Sequence, residues 1–152
     1  MKTAQDILNE KKRDIITVAP DKTVYEALKI MAANNIGSVV IAKEGSQDYI
    51  GIYTEREFVH NALKEGFDIH QVKISEVMVE DLICVNQDDT IHQLQDVLLG
   101  KCLRHLFVVK DSKVIGIISA GDVTRADLIE HEKKLMSVSW DYYEDWKWGK
   151  KK

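Results

Sequence analysis

Apolar positions along the chain alternate between two rhythms, and the alternation happens twice. Ile15 to Val18 is a short, largely β-branched run that halts at Pro20-Asp21, the chain's single proline, and it predicts a strand and a turn. Val24, Ala27, Leu28 and Met31 then recur at helical spacing, with Thr23 placed to cap the helix and Asn34-Asn35 placed to end it. Two continuous apolar runs follow, residues 38 to 42 and 49 to 53, separated by a polar loop; they predict the buried strands of a hairpin. A second helix is predicted from about Glu55 to Gly66, with Phe58, Val59, Ala62 and Leu63 on one face.

The same order returns in the second half. Residues 83 to 85 predict a strand, 91 to 99 a helix, 106 to 110 and 114 to 118 a hairpin, and a last helix runs from about Ala120 to about Met136. Aligned directly, Ile16-Thr17-Val18 matches Ile83-Cys84-Val85, Asp21-Lys22-Thr23-Val24 matches Asp88-Asp89-Thr90-Ile91, and residues 36 to 41 match 103 to 108, all at an offset of 67. Past the hairpin loop the offset becomes 65, pairing Gly51-Ile52-Tyr53-Thr54 with Gly116-Ile117-Ile118-Ser119. A two-residue slip inside a surface loop is where a duplication tolerates one. Each half is thus a β-α-β-β-α unit, and the chain is of the α+β class, with helices over one face of a small sheet. The predicted divisions are residues 1–73, 74–136 and a tail at 137–152.

The sharpest local signal lies where the second hairpin strand becomes the last helix of each unit. Repeat one reads Gly51-Ile-Tyr-Thr54-Glu-Arg56-Glu57 and repeat two reads Gly116-Ile-Ile-Ser119-Ala-Gly121-Asp122, each a hydroxyl followed three positions on by a carboxylate. That spacing is a capping box, which satisfies two orphan amides of a helix start. It also places a carboxylate where it can accept from both hydroxyls of a ribose, beside a helix N-terminus that favours phosphate. Asp122, shorter than a glutamate, is expected to close the box less well and to be freer for a ligand.

The order I-x-V-x-P-D-x-T-V, I-G-S-V-V-I and G-I-x-[ST]-x-x-[DE], repeated, resembles a tandem pair of CBS (cystathionine-β-synthase-type) domains over roughly residues 14 to 125. The linker Ile74-Ser75-Glu76-Val77-Met78 resembles the segment that leads into a second repeat. The resemblance implies two pseudo-symmetric repeats forming one Bateman-type module, of the stand-alone bacterial signalling type. It implies a regulatory protein binding AMP, ADP, ATP or NAD, with S-adenosylmethionine among the family's ligands, in clefts between the repeats. In a first site, Asp122 would hold the ribose, Ser119 and Gly121 would line the turn, Ile15, Ile16, Ile36 and Gly37 would take the adenine, and Arg104 and His105 would reach phosphate. A second site would use Glu57 with Thr54 and Arg56, and Leu82, Cys84 and Leu103 as its apolar wall. Glu57 stands where Asp is usual and Phe107 where relatives often carry Pro, so the Asp122 site is expected to be the better formed. The resemblance also implies a homodimer built through faces such as Phe58/Val59/Ala62/Leu63 and Val123/Ala126/Leu128.

Composition narrows the class. The 152 residues carry a net charge of −4, with 45% hydrophobic and 30% charged residues, ordinary for a globular domain and against nucleic-acid binding. The polar start MKTAQDILNEKKRD has no apolar stretch of a secretory signal, and no 18-residue apolar run suggests a membrane span. Cys84 and Cys102 fit no disulfide framework; both sit in apolar surroundings and are expected as buried free thiols of a cytoplasmic protein. His60, His70, His92 and His131 are scattered and recommend no metal site. No Gly-rich phosphate loop or nucleophile elbow occurs, so no enzyme is expected. Trp140, Tyr142, Tyr143, Trp146 and Trp148 crowd into the tail. They are expected to close over the module's own core, or to hold a partner subunit or an unidentified effector protein. A ligand-free dimerisation or scaffold module is the main alternative, and a metal- or redox-responsive regulator acting through the two cysteines a distant third.

Overall fold

The computed structural model describes residues 1–11 and 14–147, with side chains described as far as residue 137. The chain runs α1 (Ala4–Lys11), β1 (Thr17–Val18), α2 (Val24–Asn34), β2 (Ser38–Ala42), β3 (Tyr49–Thr54), α3 (Glu55–Ala62) and α4 (Ile74–Val77), then β4 (Cys84–Asn86), α5 (Ile91–Gly100), β5 (His105–Lys110), β6 (Lys113–Ser119) and α6 (Ala120–Lys147). Two three-stranded sheets result, in the orders β1-β2-β3 and β4-β5-β6. The two repeats of the sequence are therefore two copies of one α+β plan. The chain divides into two compact units: one of residues 13–84 and 109–116, the other of residues 1–12, 85–108 and 117–152.

In the unit built on the first repeat, β1 pairs parallel with β2 at Thr17–Val40 and Val18–Ile41, and β2 pairs antiparallel with β3. β1 is only two residues long. Ile15 and Ile16 precede it rather than forming it, although the Ile16 carbonyl still accepts from the Val40 amide at 3.1 Å. The core gathers Val18, Val24, Ala27, Met31, Val39, Ile41, Tyr53 and Ile74. Ile74 comes from α4, and its amide is tied to the Lys22 carbonyl at 2.8 Å, so the linker's first residue completes this core. Helix α2 is closed at its start by Thr23 and Glu26, each bonding the other's amide, and at its end by Asn35 in the left-handed region (φ 51°).

Helix α3 departs from expectation. It ends at Ala62, and Val59 and Leu63 are exposed (59% and 85%). Phe58 packs against the core, while buried Asn61 donates to the Tyr53 hydroxyl at 3.0 Å. One turn apart, residues 58 and 61 face inward, and the intervening apolar position turns to solvent.

In the other unit, α5 opens with the same device, Thr90 and Gln93. Leu94, Leu98, Leu106, Phe107, Val108, Ile118, Val123 and Ala126 are buried. Phe107 lies inside β5 without interrupting it. Between β5 and β6, in the segment 109–116 that belongs to the first-repeat unit, Asp111 and Ser112, both at positive φ (48° and 63°), make the two-residue turn. Helix α6 reaches Lys147, well beyond the predicted end near 136, so Trp140, Tyr142, Tyr143 and Trp146 lie on its backbone, while Trp148 lies outside the described residues.

Helix α1 adds an element that apolar rhythm does not predict. Thr3 and Asp6 close its start, with the Thr3 amide donating to Asp6 Oδ2 at 2.8 Å. Its amides at Ala4 and Gln5 donate to the Asp89 and Gln87 carbonyls, both at 2.9 Å. Ala4 and Ile7 are buried, and α1 packs on α6. The N-terminal segment, assigned by the repeat boundary to the first half, thus belongs to the unit built chiefly on the second. No helix among the described residues is long and apolar enough to cross a membrane.

Candidate functional site

Both repeats build their strand-to-helix junction in one way. The amide of Glu55, first residue of α3, donates to the Gly37 carbonyl at 3.0 Å; the amide of Ala120, first residue of α6, donates to the Arg104 carbonyl at 2.9 Å. The start of one hairpin strand therefore holds the helix that grows from the end of the other. Gly37 is pressed by this arrangement, since a Cβ there would lie 3.1 Å from Glu55 Oε2.

At the α6 junction the box closes fully. The Ser119 amide and hydroxyl each donate to Asp122 Oδ2 at 2.8 Å, and the Asp122 amide donates to Ser119 Oγ at 3.2 Å. The expectation that aspartate would close the box poorly is therefore corrected: the turn into the helix brings the short side chain within reach, as it also does at Thr3 and Asp6. A third donor comes from far along the chain. The Lys11 ammonium lies 2.7 Å from Asp122 Oδ2 and 3.2 Å from the Ile117 carbonyl. Burial pushes the Asp122 carboxyl up, but Lys11 and the Ser119 amide and hydroxyl outweigh it and hold the pKa below the ordinary carboxylate value. The charged form is further favoured by its place on the first turn of α6.

The α3 junction is looser. The Thr54 hydroxyl donates to Glu57 Oε2, but Thr54 makes no side-chain cap to the α3 backbone.

The expected site residues fall into two sets. Arg104, His105, Ser119, Gly121 and Asp122, with Leu103, belong to the unit containing α6; Ile15, Ile16, Ile36, Gly37, Thr54, Arg56, Glu57, Leu82 and Cys84 belong to the other. Within the first set the structure joins Arg104, through its carbonyl, to the Ser119–Asp122 turn. Within the second it joins Gly37 to the turn after Thr54, and places the Cys84 thiol 3.7 Å from the Leu82 carbonyl. Ile16 and Ile36 pack half-buried against that unit's core.

Cys84 and Cys102 are exposed, which corrects the expectation of buried thiols. Cys84 opens a three-residue strand with its side chain outward, and Cys102 sits at positive φ (53°) past the end of α5. Lys11 joins the site without any motif of its own, although the Thr3-x-x-Asp6 spacing ahead of Ile7 announces the helix that carries it. Among the described residues no group of three or more His, Cys, Asp or Glu is placed to hold a metal ion.

A duplicated α+β unit, with a hydroxyl–carboxylate turn at each strand-to-helix junction, defines a tandem-repeat module. The CBS domain model matches residues 4–64 and 74–129, and the chain belongs to that family. Among curated relatives, the mitochondrial CBS domain-containing protein CBSX3 of Arabidopsis thaliana is 31% identical over 90% of this chain and 70% of its own. Among solved structures, the CBS-domain containing protein ATU1752 of Agrobacterium tumefaciens is 33% identical with a TM-score of 0.75, covering 82% of this chain and 98% of its own. Two more distant structures share the fold: PAE2072 of Pyrobaculum aerophilum, complexed with AMP (21% identical, TM-score 0.71, 85% and 97% covered), and the CBS pair of MJ0100, in complex with 5′-methylthioadenosine and S-adenosyl-L-methionine (22%, 0.72, 86% and 98%).

Proposed function

We propose that the chain is a non-enzymatic sensor of adenine nucleotides such as AMP, ADP, ATP or NAD, whose output is a ligand-dependent change in the arrangement of its repeats or of a homodimer. The observation that carries the reading is Asp122. Its carboxylate is held charged on the first turn of α6, partly exposed, with Ser119 beside it and Arg104 tied to the same turn. A charged carboxylate at that place can accept from ribose hydroxyls, and a helix N-terminus suits phosphate. In this reading His105 and Gly121 belong to the same pocket. Glu57, Thr54 and Arg56 form the weaker counterpart, because Thr54 makes no side-chain cap at the start of α3. AMP and methylthioadenosine in structures of the same fold support an adenosine-containing ligand. Exposed Val59, Leu63 and Leu128 offer apolar surface for a second copy, and two exposed cysteines suit a reducing, cytoplasmic setting.

Thermal denaturation with a nucleotide panel tests the proposal. A ligand at a hundred times its dissociation constant adds about 2.7 kcal/mol of stability. Asp122→Ala should weaken binding, measured by calorimetry, roughly 10- to 100-fold on the scale of a charged hydrogen bond. A panel that shifts nothing at millimolar concentration rejects the reading.

One observation favours the alternative of a ligand-free scaffold: Asp122 Oδ2 already has three donors from its own chain. That alternative expects truncation after residue 136 to abolish self-association or partner capture, while nucleotides leave the melting temperature unchanged.

A further inference from the structure

The three donors on Asp122 Oδ2 differ in kind. Two come from Ser119, whose amide belongs to the backbone and whose hydroxyl also accepts from the Asp122 amide, so giving them up would cost α6 its cap. The third is the Lys11 ammonium, on a flexible arm from a residue 111 positions away. A carboxylate oxygen offers about two lone-pair sites, so three donors already crowd Oδ2. A ribose hydroxyl that reaches this oxygen does so in the place of one of them, and Lys11 is the donor able to move aside.

The displaced ammonium cannot go far. Helix α1 is fixed by the Ala4 and Gln5 amides on the Asp89 and Gln87 carbonyls and by buried Ala4 and Ile7, none of which involves Asp122. The Lys11 and Asp122 side chains are 23% and 25% exposed, so the ammonium would be left at the rim of the turn, partly desolvated and without its counter-ion. A phosphate on the same ribose would offer the lysine arm a new anion. A neutral nucleoside supplies none, and a cationic one repels it.

The geometry points to Lys11 as the residue that makes this site choose phosphorylated over uncharged adenosine ligands. The inference rests on Asp122 binding the ribose, as proposed above. Lys11 then guards the carboxylate in the unliganded chain and pairs with the phosphate in the liganded one.

Affinities of AMP and 5′-methylthioadenosine for the wild type and for Lys11→Met, measured by calorimetry, test it. The wild type should prefer AMP. In Lys11→Met, methylthioadenosine should bind more tightly and AMP more weakly, so that their ratio falls at least about tenfold, the scale of one charge-assisted hydrogen bond. Lys11→Arg, which keeps the charge, should preserve the preference for AMP and guards against a folding effect of losing the long arm. If both ligands bind and the ratio changes by less than about tenfold, or both affinities move together, the assignment to Lys11 fails and the nucleotide sensor stands. If neither ligand binds the wild type or Lys11→Met, the sensor reading falls and this inference falls with it.

Discussion

Asn61 donates its side-chain amide to the hydroxyl of Tyr53 at 3.0 Å, and both residues are buried. Burial also pushes the phenol's pKa up, so the hydroxyl stays protonated and able to accept throughout the neutral range. Tyr53→Phe removes the acceptor but leaves the donor buried. Such an orphaned polar group costs about 1–3 kcal/mol. Urea unfolding of Tyr53→Phe should show a loss of that size, and Tyr53→Phe with Asn61→Leu should recover part of it. A single variant as stable as the wild type would mean that water reaches Asn61.

Gly51 is needed for a different reason. A Cβ at this position would come 2.5 Å from Met78 Sδ and 2.9 Å from Met78 Cγ, so the methionine must move. Overpacking of this kind costs about 1–3 kcal/mol. Gly51→Ala should lower the unfolding midpoint accordingly, and Met78→Ala introduced with it should reduce the effect, because the clash is with that one side chain. An additive double variant would place the cost in the backbone instead.

The duplication was legible because each strand and each first helix has its own apolar rhythm and its own cap: Thr23 and Thr90 stand 67 residues apart and make the same closed box. Helix α1 was not legible by the same means. Only Ala4 and Ile7 of its eight residues are buried, too few to stand out against a polar run. Helix α3 misled for the opposite reason: apolar Val59 and Leu63 face solvent while polar Asn61 turns inward, bonded to a tyrosine that periodicity does not reveal. At the candidate site, Ser119 and Asp122 could be read from spacing three apart. Lys11 could not, since its pairing with Asp122 is a product of how α1 packs on α6.

The cysteines give a direct check of the surface. Both are exposed, so a small disulfide reagent should modify both in the native protein without denaturant. Partial burial pushes the Cys84 thiol up, so its reaction should be slow at neutral pH and quicken as pH rises, because the thiolate is the reacting form. Modification that requires unfolding would contradict the exposed placement.

Asp122 governs part of the response to acid. Burial raises its carboxyl, yet Lys11 and the Ser119 amide and hydroxyl outweigh burial, so the folded-state pKa lies below the ordinary value. A group depressed in this way contributes stability that is fully present above its unfolded pKa, about 3.9, and is lost as pH falls through the folded value. Asp6 and Glu26, held down chiefly by the Thr3 and Thr23 amides, act in the same direction. The wild-type melting temperature should therefore hold from neutral pH to about 5 and decline below about 4. Asp122→Asn keeps an acceptor for the Ser119 amide but loses the charge facing Lys11. At neutral pH it should be less stable by about 1 kcal/mol, the upper scale for a partly exposed ion pair. The gap between variant and wild type should close as pH drops below about 4, because protonation removes from the wild type the charge that the variant already lacks. A gap that stays constant from about pH 7 to about pH 3 would show that the Lys11–Asp122 pair contributes shape and hydrogen bonding but no charge stabilisation.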